Sequence, residues 1–253
     1  MSYSVCRANP AELLPLRVRQ REELNCQIVH DSIPRREGWT EGFRLTRDGT
    51  TVGFGSVAVA GPWKDRPTVF EFYLLPECRW RAFALFEAFL AASGARWFEV
   101  QSNDALLTSL AVAQARDLAS EKIVFKDGWT THDTIQGAVL RRQTPVEEIQ
   151  SAIERQQGGG EWVLELDGVA VGRGGVLFHY NRPYGDVYME VDEPFRQRGL
   201  GAFLVQELKR ECYVLGAIPA ARCSPDNLAS RRTLQRAGFV PCAHILIGAL
   251  ADR

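Results

Sequence analysis

Polar and apolar positions alternate in short runs along this chain, and a pattern set in its first half returns in its second. Residues 48–57 read DGTTVGFGSV and residues 167–176 read DGVAVGRGGV, with Asp, Gly, Val, Gly, Gly and Val in register. Each opens on Asp-Gly, a tight-turn dipeptide, and continues as a strand interrupted by glycine, which predicts a hairpin with a bulge. FEFYLLP (70–76) and VYMEVDEP (187–194) read as strands, each with a proline at or near its end and each leading into a helix. Phe83, Phe86, Phe89 and Leu90 keep helical spacing, as do Leu200, Phe203, Leu204 and Leu208. Gly94 and Gly216 are placed to end these helices. ARWFEVQS (95–102) and AIPAARCS (217–224) predict one more strand and a turn, with helices over about 104–115 and 227–237 after them.

Five successive elements recurring in one order predict two domains of one fold, residues 1–130 and 131–253. Each half reads helix, strands, strand, helix, strand, helix, strand, an α/β or α+β pattern. The segment 126–145 is expected to link the halves. Thr144-Pro145-Val146-Glu147 is a helix start, with a capping threonine, proline at the first position and glutamate three residues on. That helix is expected to run to about Gln157 and stop at Gly158-Gly159-Gly160.

Charge narrows the function. Lys and Arg total 30 and Asp and Glu total 31 in 253 residues, so there is no basic excess to drive sequence-independent nucleic-acid binding. No apolar run reaches the ~18 residues of a membrane span, and MSYSVCRANP lacks the apolar stretch of a secretion signal. The expectation is a cytoplasmic protein that engages neither nucleic acid nor membrane. The six cysteines form no CxxC pair and have no histidine at metal-finger spacing. They are expected to be reduced and mostly buried, with no metal site.

The segment that carries chemistry is Val191-Asp192-Glu193-Pro194-Phe195-Arg196-Gln197-Arg198-Gly199-Leu200-Gly201-Ala202, between a strand and an amphipathic helix. Its two glycines permit a tight turn with uncovered N–H groups, and the helix dipole favours an anion there. Three phosphate-binding patterns compete. A P-loop needs a GK[ST] ending, and Ala202-Phe203 follow Gly201. The dinucleotide pattern GxGxxG needs a glycine where Leu204 stands. RxxGxG remains.

VDEPFRQRGLGAFLVQELKREC resembles the acyl-CoA-binding signature of the GCN5-related N-acetyltransferases (GNAT), and Asn227 with Gly238-Phe239 resembles that family's second signature. The resemblance covers about residues 131–250 directly and the first half only as a repeat of the pattern. It implies two tandem GNAT-like domains, each a mixed, mostly antiparallel sheet with flanking helices and a splayed central strand. It implies acetyl-CoA as co-substrate. The exposed backbone of Met189 to Val191 would pair with pantetheine. The N–H groups of Arg198, Gly199, Leu200, Gly201 and Ala202 would hold the pyrophosphate beside Arg196. Asn227 would contact pantetheine or cap its helix.

The implied reaction is direct acetyl transfer to an amine of a small molecule or peptide, which needs a proton acceptor. Glu190 is the favoured base and Asp186 the second candidate; four residues apart, they share one side of a regular strand. Leu234 stands where many family members carry a tyrosine that protonates the departing thiolate, which keeps a CoA-binding sensor without turnover as the alternative. Cys223 or solvent could supply that proton instead. In the first half, alignment on Pro76 and Pro194 sets Cys78 against Arg196, Arg81 against Gly199 and Phe83 against Gly201, so that half is expected not to bind CoA. Five of the six tryptophans also fall there, as core or as part of an acceptor pocket.

Overall fold

Asp48 and Gly49 both take positive φ (47° and 81°), as do Asp167 and Gly168 (53° and 80°). This is the two-residue turn whose twist matches its flanking strands. Around the first turn β2 (Thr40–Arg47) pairs antiparallel with β3 (Thr50–Ala58), and around the second β8 (Trp162–Leu166) pairs with β9 (Val169–Leu177). Both hairpins carry a register shift, at Leu45/Thr46 and at Leu164/Glu165, so the repeated sequence folds into a repeated bulged hairpin.

A computed structural model of the chain describes residues 2–147 and 162–251. It divides into two units, Met1–Lys122 with Ala243–Arg253, and Ile123–Cys242. The first unit contains β1 (Tyr3–Ala8), α1 (Pro10–Leu24), β2, β3, β4 (Thr68–Leu74), α2 (Ala82–Ser93), β5 (Trp97–Gln101) and α3 (Ala105–Ala113). The strands run β1-β2-β3-β4-β5, followed by Ile245–Ala249 at the end of β12 (Phe239–Ala249). The second unit contains most of β6 (Ala119–Asp127), then β7 (Ala138–Arg142), β8, β9, β10 (Tyr184–Val191), α4 (Leu200–Val214), β11 (Ile218–Cys223) and α5 (Leu228–Arg236). Its strands run β7-β8-β9-β10-β11, followed by Ile123–Lys126 of β6, which pair antiparallel with Ala220–Cys223 of β11. These are mixed α/β units with mostly antiparallel sheets; among the described residues β4–β5 and β10–β11 pair in parallel.

Three expectations are corrected here. Each unit opens on a strand rather than on a helix, and β1 and β7 pair antiparallel with the strand that follows in the sheet. Residues 126–145 are not a linker. They finish β6, form β7, and between the two are strapped to α4: Lys209 Nζ donates to the carbonyls of Trp129 (2.8 Å) and Ala237 (3.0 Å), and Gln206 bonds the Asp133 backbone in both directions. The boundaries 1–130 and 131–253 assign β12 wholly to the second half, whereas Ala243–Arg253 group with the first unit. The cause is pairing: Ile245–Ala249 bond to β5, and Ile123–Lys126 bond to β11.

The first core gathers Phe43, Phe72, Phe86, Phe89 and Phe98 with Leu107 and Leu110, and the rings of Phe43, Phe72, Phe86 and Phe89 meet at 5.0–6.2 Å. The second gathers Trp162, Val187, Val191, Leu200, Phe203, Leu204, Leu208 and Phe239. All four predicted apolar positions of α4 are therefore core. In α2 the set is broken: Phe83, in the first turn, is exposed. The reciprocal bonds of a capping box are present at Thr144 and Glu147; the rest of the predicted helix to Gln157 and Gly158–Gly160 lies outside the described residues. No helix among the described residues is long and apolar enough to cross a membrane.

Candidate functional site

In the second unit β10 and β11 pair only from Tyr184–Asp186 against Ile218–Ala220. β10 continues to Val191, paired with β9 on one side alone. From Val187 onward its other edge therefore faces an opening. At the far end of β10, Asp192 to Phe195 form a short turn and Arg196 reaches back, its Nε donating to the Val191 carbonyl at 2.9 Å. Gln197 (φ 62°) and Gly199 (φ 83°) then adopt left-handed backbone, which turns the chain into α4.

Gly199 caps α4 without any side-chain acceptor, and the Phe203 N–H is the one that finds the Gly199 carbonyl. The N–H groups of the first helical turn are thus available to an outside acceptor, at the positive end of the helix dipole. Gly201 keeps this approach low. A Cβ there would stand 3.3 Å from Thr233 Cγ2 and 3.5 Å from Met189 Cε, so a larger side chain must project into the opening.

The opening is a cleft of about 860 Å³ whose wall includes Met189, Glu190, Val191, Arg196, Gly199, Gly201, Ala202 and Asn227. α5 supplies further wall that motif spacing did not single out, chiefly Ser230, Arg232, Thr233 and Arg236. The Arg236 guanidinium lies over the Gly199 turn, 3.9 Å from where a Cβ would be, and 3.6 Å from Asp133. The signal for these residues was in the α5 sequence: Arg232 and Arg236 are four apart and so share a helix face.

The sequence-predicted residues separate into two groups. Eight of them line the cleft as above. Leu200 is buried in the core, so only its backbone is offered to a ligand, and the exposed Arg198 lies over the Phe195 ring at 5.9 Å. Asn227 caps α5, its Oδ1 accepting from the Ser230 N–H at 2.9 Å, while still facing the cleft. Glu190 is exposed on the cleft wall. Asp186 is not on that wall. It is buried at the vertex where β10 and β11 part, with Oδ2 3.2 Å from His179 Nε2 and 3.6 Å from Arg222 Nε. His179, Tyr180 and Arg222 are functional candidates that no motif flagged.

Leu234, 4% exposed, and Cys223 are both buried in the second core. Burial also pushes the nearby Cys212 thiol up to about 12, and Asp127 adds to the shift, leaving that cysteine an inert core residue. Among the described residues no group of His, Cys, Asp or Glu is arranged to hold a metal ion.

The corresponding place in the first unit is built differently. β4 and β5 pair at Thr68–Val69 against Trp97–Phe98 and then part, but the gap is filled from within. Arg17 of α1, 3% exposed, puts Nε within 3.0 and 3.2 Å of both Glu71 oxygens and Nη2 2.9 Å from Ser56. Gln101 donates to the Gln27 carbonyl and accepts from the Val29 N–H, and His30 Nε2 lies 3.0 Å from Glu99. What remains is a space of about 30 Å³ beside Gln20, Glu71, Gln101 and Asp104. The α2 start has no left-handed cap; Arg81 has φ −105° and stacks on Trp80 at 4.4 Å. Cys78 is buried, and the structural partner of Arg196 is its neighbour Arg79, whose Nε donates to the Leu74 carbonyl at 3.1 Å. This corrects the Cys78–Arg196 alignment: the arginine is kept in both units, and the glycines are not.

Residues 127–239 match the model of a family described as Acetyltransferase (GNAT) family. No curated protein sequence matches the chain. Among solved structures, a GNAT-family acetyltransferase from Colwellia psychrerythraea aligns with a TM-score of 0.72 at 13% identity, over 99% of this chain and 100% of that one. A tandem GNAT protein from the clavulanic acid biosynthesis pathway aligns at 0.62 and 13%, over 100% of both chains. A GCN5-related N-acetyltransferase from Sphaerobacter thermophilus aligns at 0.60 and 14%, over 99% of this chain and 96% of that one. At these identities the likeness shows a shared fold.

Proposed function

We propose that this chain, whose residues 127–239 are a domain of the GNAT family of acetyltransferases, moves an acetyl group from acetyl-CoA directly to an amine in the cleft of its second unit. The observation that carries this reading is the conjunction at one cleft of a splayed strand edge, a glycine turn and an uncapped helix start. A molecule suited to it has an anionic end for the first turn of α4 and an extended arm with amide groups for the β10 edge. CoA has both.

In this reading the N–H groups of Arg198 to Ala202 hold the pyrophosphate. The backbone of Met189 to Val191 pairs with pantetheine, and Asn227 borders the arm. Arg232 and Arg236 add positive charge on the α5 side. Arg196 shapes the turn by holding the Val191 carbonyl. The acceptor is a small-molecule or peptide amine, and its proton goes to a group on or beside β10, where Glu190 and Asp186 are the acids available. The first unit does not bind CoA, because its splay is occupied by Arg17, Gln101 and His30 and its helix start lacks both glycines.

A second reading, a CoA-binding sensor without turnover, draws on Leu234, a core residue where a thiolate-protonating tyrosine would stand. Calorimetry with CoA and acetyl-CoA, followed by thiol release from acetyl-CoA over an amine panel, tests both. Binding with amine-dependent thiol release supports the transferase. Binding without release over the whole panel supports the sensor, and failure to bind either compound overturns both.

A further inference from the structure

The buried cluster at the vertex of the β10–β11 splay has a geometry that the cleft itself does not explain. We infer that His179 is the group that takes the proton from the acceptor amine, and that Asp186 positions it. The inference rests on the transferase reading above and adds the identity of the proton acceptor.

Strand register locates the chemistry. The uncapped turn of α4 follows the Val191 end of β10, and Asp186 lies five residues back, ~17 Å at the rise of a strand. A pantetheine arm extended from phosphates at Gly199 to Ala202 along the free edge of β10 carries its thioester toward Asp186. Glu190, next to Val191 and sharing the cleft wall with Arg196 and Gly199, stands at the phosphate end of that path. Asp186 pairs in register with Ala220 of β11, and Arg222 is two residues further on, so Asp186 and Arg222 share one face of the splay. The alternate positions Val187, Val191, Ala221 and Cys223 are in the core with α4, which leaves Asp186 and Arg222 on the opposite face.

On that face the parts of an oriented base are assembled. The Asp186 side chain is 7% exposed and that of His179 is 21% exposed, with 3.2 Å between Oδ2 and Nε2. A buried carboxylate thus holds a partly open imidazole, and an Nε2–H donated to Asp186 leaves the Nδ1 lone pair to accept a proton. Arg222 Nε lies 3.6 Å from Asp186 and its Nη2 3.3 Å from His179 Nε2; a guanidinium only donates, so in the tautomer that gives Nε2–H to Asp186 it pairs with the carboxylate and not with the ring, and the cluster is not a bare anion. The imidazole stands edge-on to Tyr180 at 4.6 Å. Burial, reinforced by the Asp186 charge, holds the Tyr180 phenol well above its ordinary range, so it stays protonated and neutral. The groups around His179 are therefore Asp186 from β10, Arg222 from β11 and Tyr180 from its own loop, with Cys242 of β12 beyond Tyr180.

The step balances without another reagent. An ammonium gives its proton to His179 Nδ1, directly or through one water. The freed amine forms the C–N bond to the thioester carbonyl carbon while the C–S bond breaks. The thiolate takes up one proton and His179 returns to its neutral form, so that one proton is released to solvent for each amide and CoA thiol formed.

The test uses the full chain, acetyl-CoA, a panel of alkylamines (2-phenylethylamine, spermidine, lysine) and hydroxylamine, which is already unprotonated at neutral pH. CoA affinity of His179→Gln is measured first, by calorimetry, and is expected to match the parent within about twofold. Thiol release with the best alkylamine is expected to fall about 100-fold or more, with loss of the rising limb of its pH profile, while the rate with hydroxylamine falls far less. Asp186→Asn should lower the alkylamine rate and displace that limb. The proposal is overturned if His179→Gln keeps its alkylamine rate and pH limb, or if Glu190→Gln removes the limb instead. Thiol release by the parent with alkylamines but a uniform loss in His179→Gln, hydroxylamine included, also overturns it and leaves the transferase reading standing. CoA binding without thiol release by the parent overturns both.

Discussion

The two strand splays of this protein form a comparison within one chain. Both units let a parallel pair diverge after two or three residues, β4 from β5 after Val69 and β10 from β11 after Asp186. Both use an arginine to hold the last carbonyl of the diverging strand, Arg79 on Leu74 and Arg196 on Val191. Yet one splay borders a cleft of about 860 Å³, and the other leaves about 30 Å³, room for about a single water. The backbone device is common to both units, so it does not by itself make a site. The side chains that enter the gap decide. In the first unit α1 sends in Arg17 and Gln20, and the following loop sends in His30 while its Val29 N–H holds Gln101. In the second, the glycines at 199 and 201 withhold side chains from the corresponding helix start.

Copying the first unit into the second should be the most damaging change. Gly201→Phe sets a ring into the cleft, since the Cβ position is already 3.3 Å from Thr233. CoA affinity measured by calorimetry should fall at least 100-fold while the melting temperature changes little; unaltered affinity would place the phosphate site elsewhere.

Next is the plug of the first unit. Arg17→Met strands Glu71, 7% exposed, without its partner, and removing one member of a buried pair costs about 3–5 kcal/mol. Chemical denaturation should show that loss, and the variant should gain no second CoA equivalent. A second equivalent would mean that the plug alone, rather than the missing glycines, closes the site.

A smaller, pH-dependent effect belongs to Asp104, which caps α3 through the Leu107 N–H. Burial pushes its carboxyl up to about 6, against the pull of the Leu107 and Gln20 hydrogen bonds. The folded state then holds a proton that the unfolded state has released, so stability is full below about pH 4 and is lost as pH rises toward 6. Asp104→Asn keeps the capping oxygen and removes the titration, and should be the more stable protein at pH 7 by about 1–3 kcal/mol. Denaturation midpoints of parent and variant that run parallel from pH 4 to 7 would refute this.

The smallest effect is expected at Arg236, whose exposed guanidinium stands over the Gly199 turn. Arg236→Ala should weaken CoA several-fold at low ionic strength, and the difference should shrink as salt screens the exposed charge. A difference unaffected by salt would point to packing rather than to charge.

Several parts of this molecule were legible without coordinates because they depend on neighbours in the chain. The Asp-Gly turns, the helical spacing of Leu200, Phe203, Leu204 and Leu208, and the RxxGxG turn all act within a few residues. Other parts were not legible because they depend on distant partners. Residues 126–145 read as a linker from their polar composition, but Lys209, 80 positions after Trp129, fastens them. Phe83 keeps its helical spacing with Phe86 and Leu90 and still faces solvent, since periodicity sets an angle around an axis and not where along the axis the core ends.

Reading the chain alone is enough to find two copies of one pattern, to see that only the second carries Gly199 and Gly201, and therefore to say where a phosphate could approach. Local conformational freedom and local helix geometry suffice for that. It takes the folded chain to show which strand closes each sheet, that Arg17 and Glu71 fill the first splay, and that His179 meets Asp186 and Arg222 at the vertex of the second. Those pairings join side chains 7 to 54 positions apart. They depend on where the β10–β11 ladder stops and on which loop reaches the gap, properties of the folded sheet that no short stretch of chain encodes.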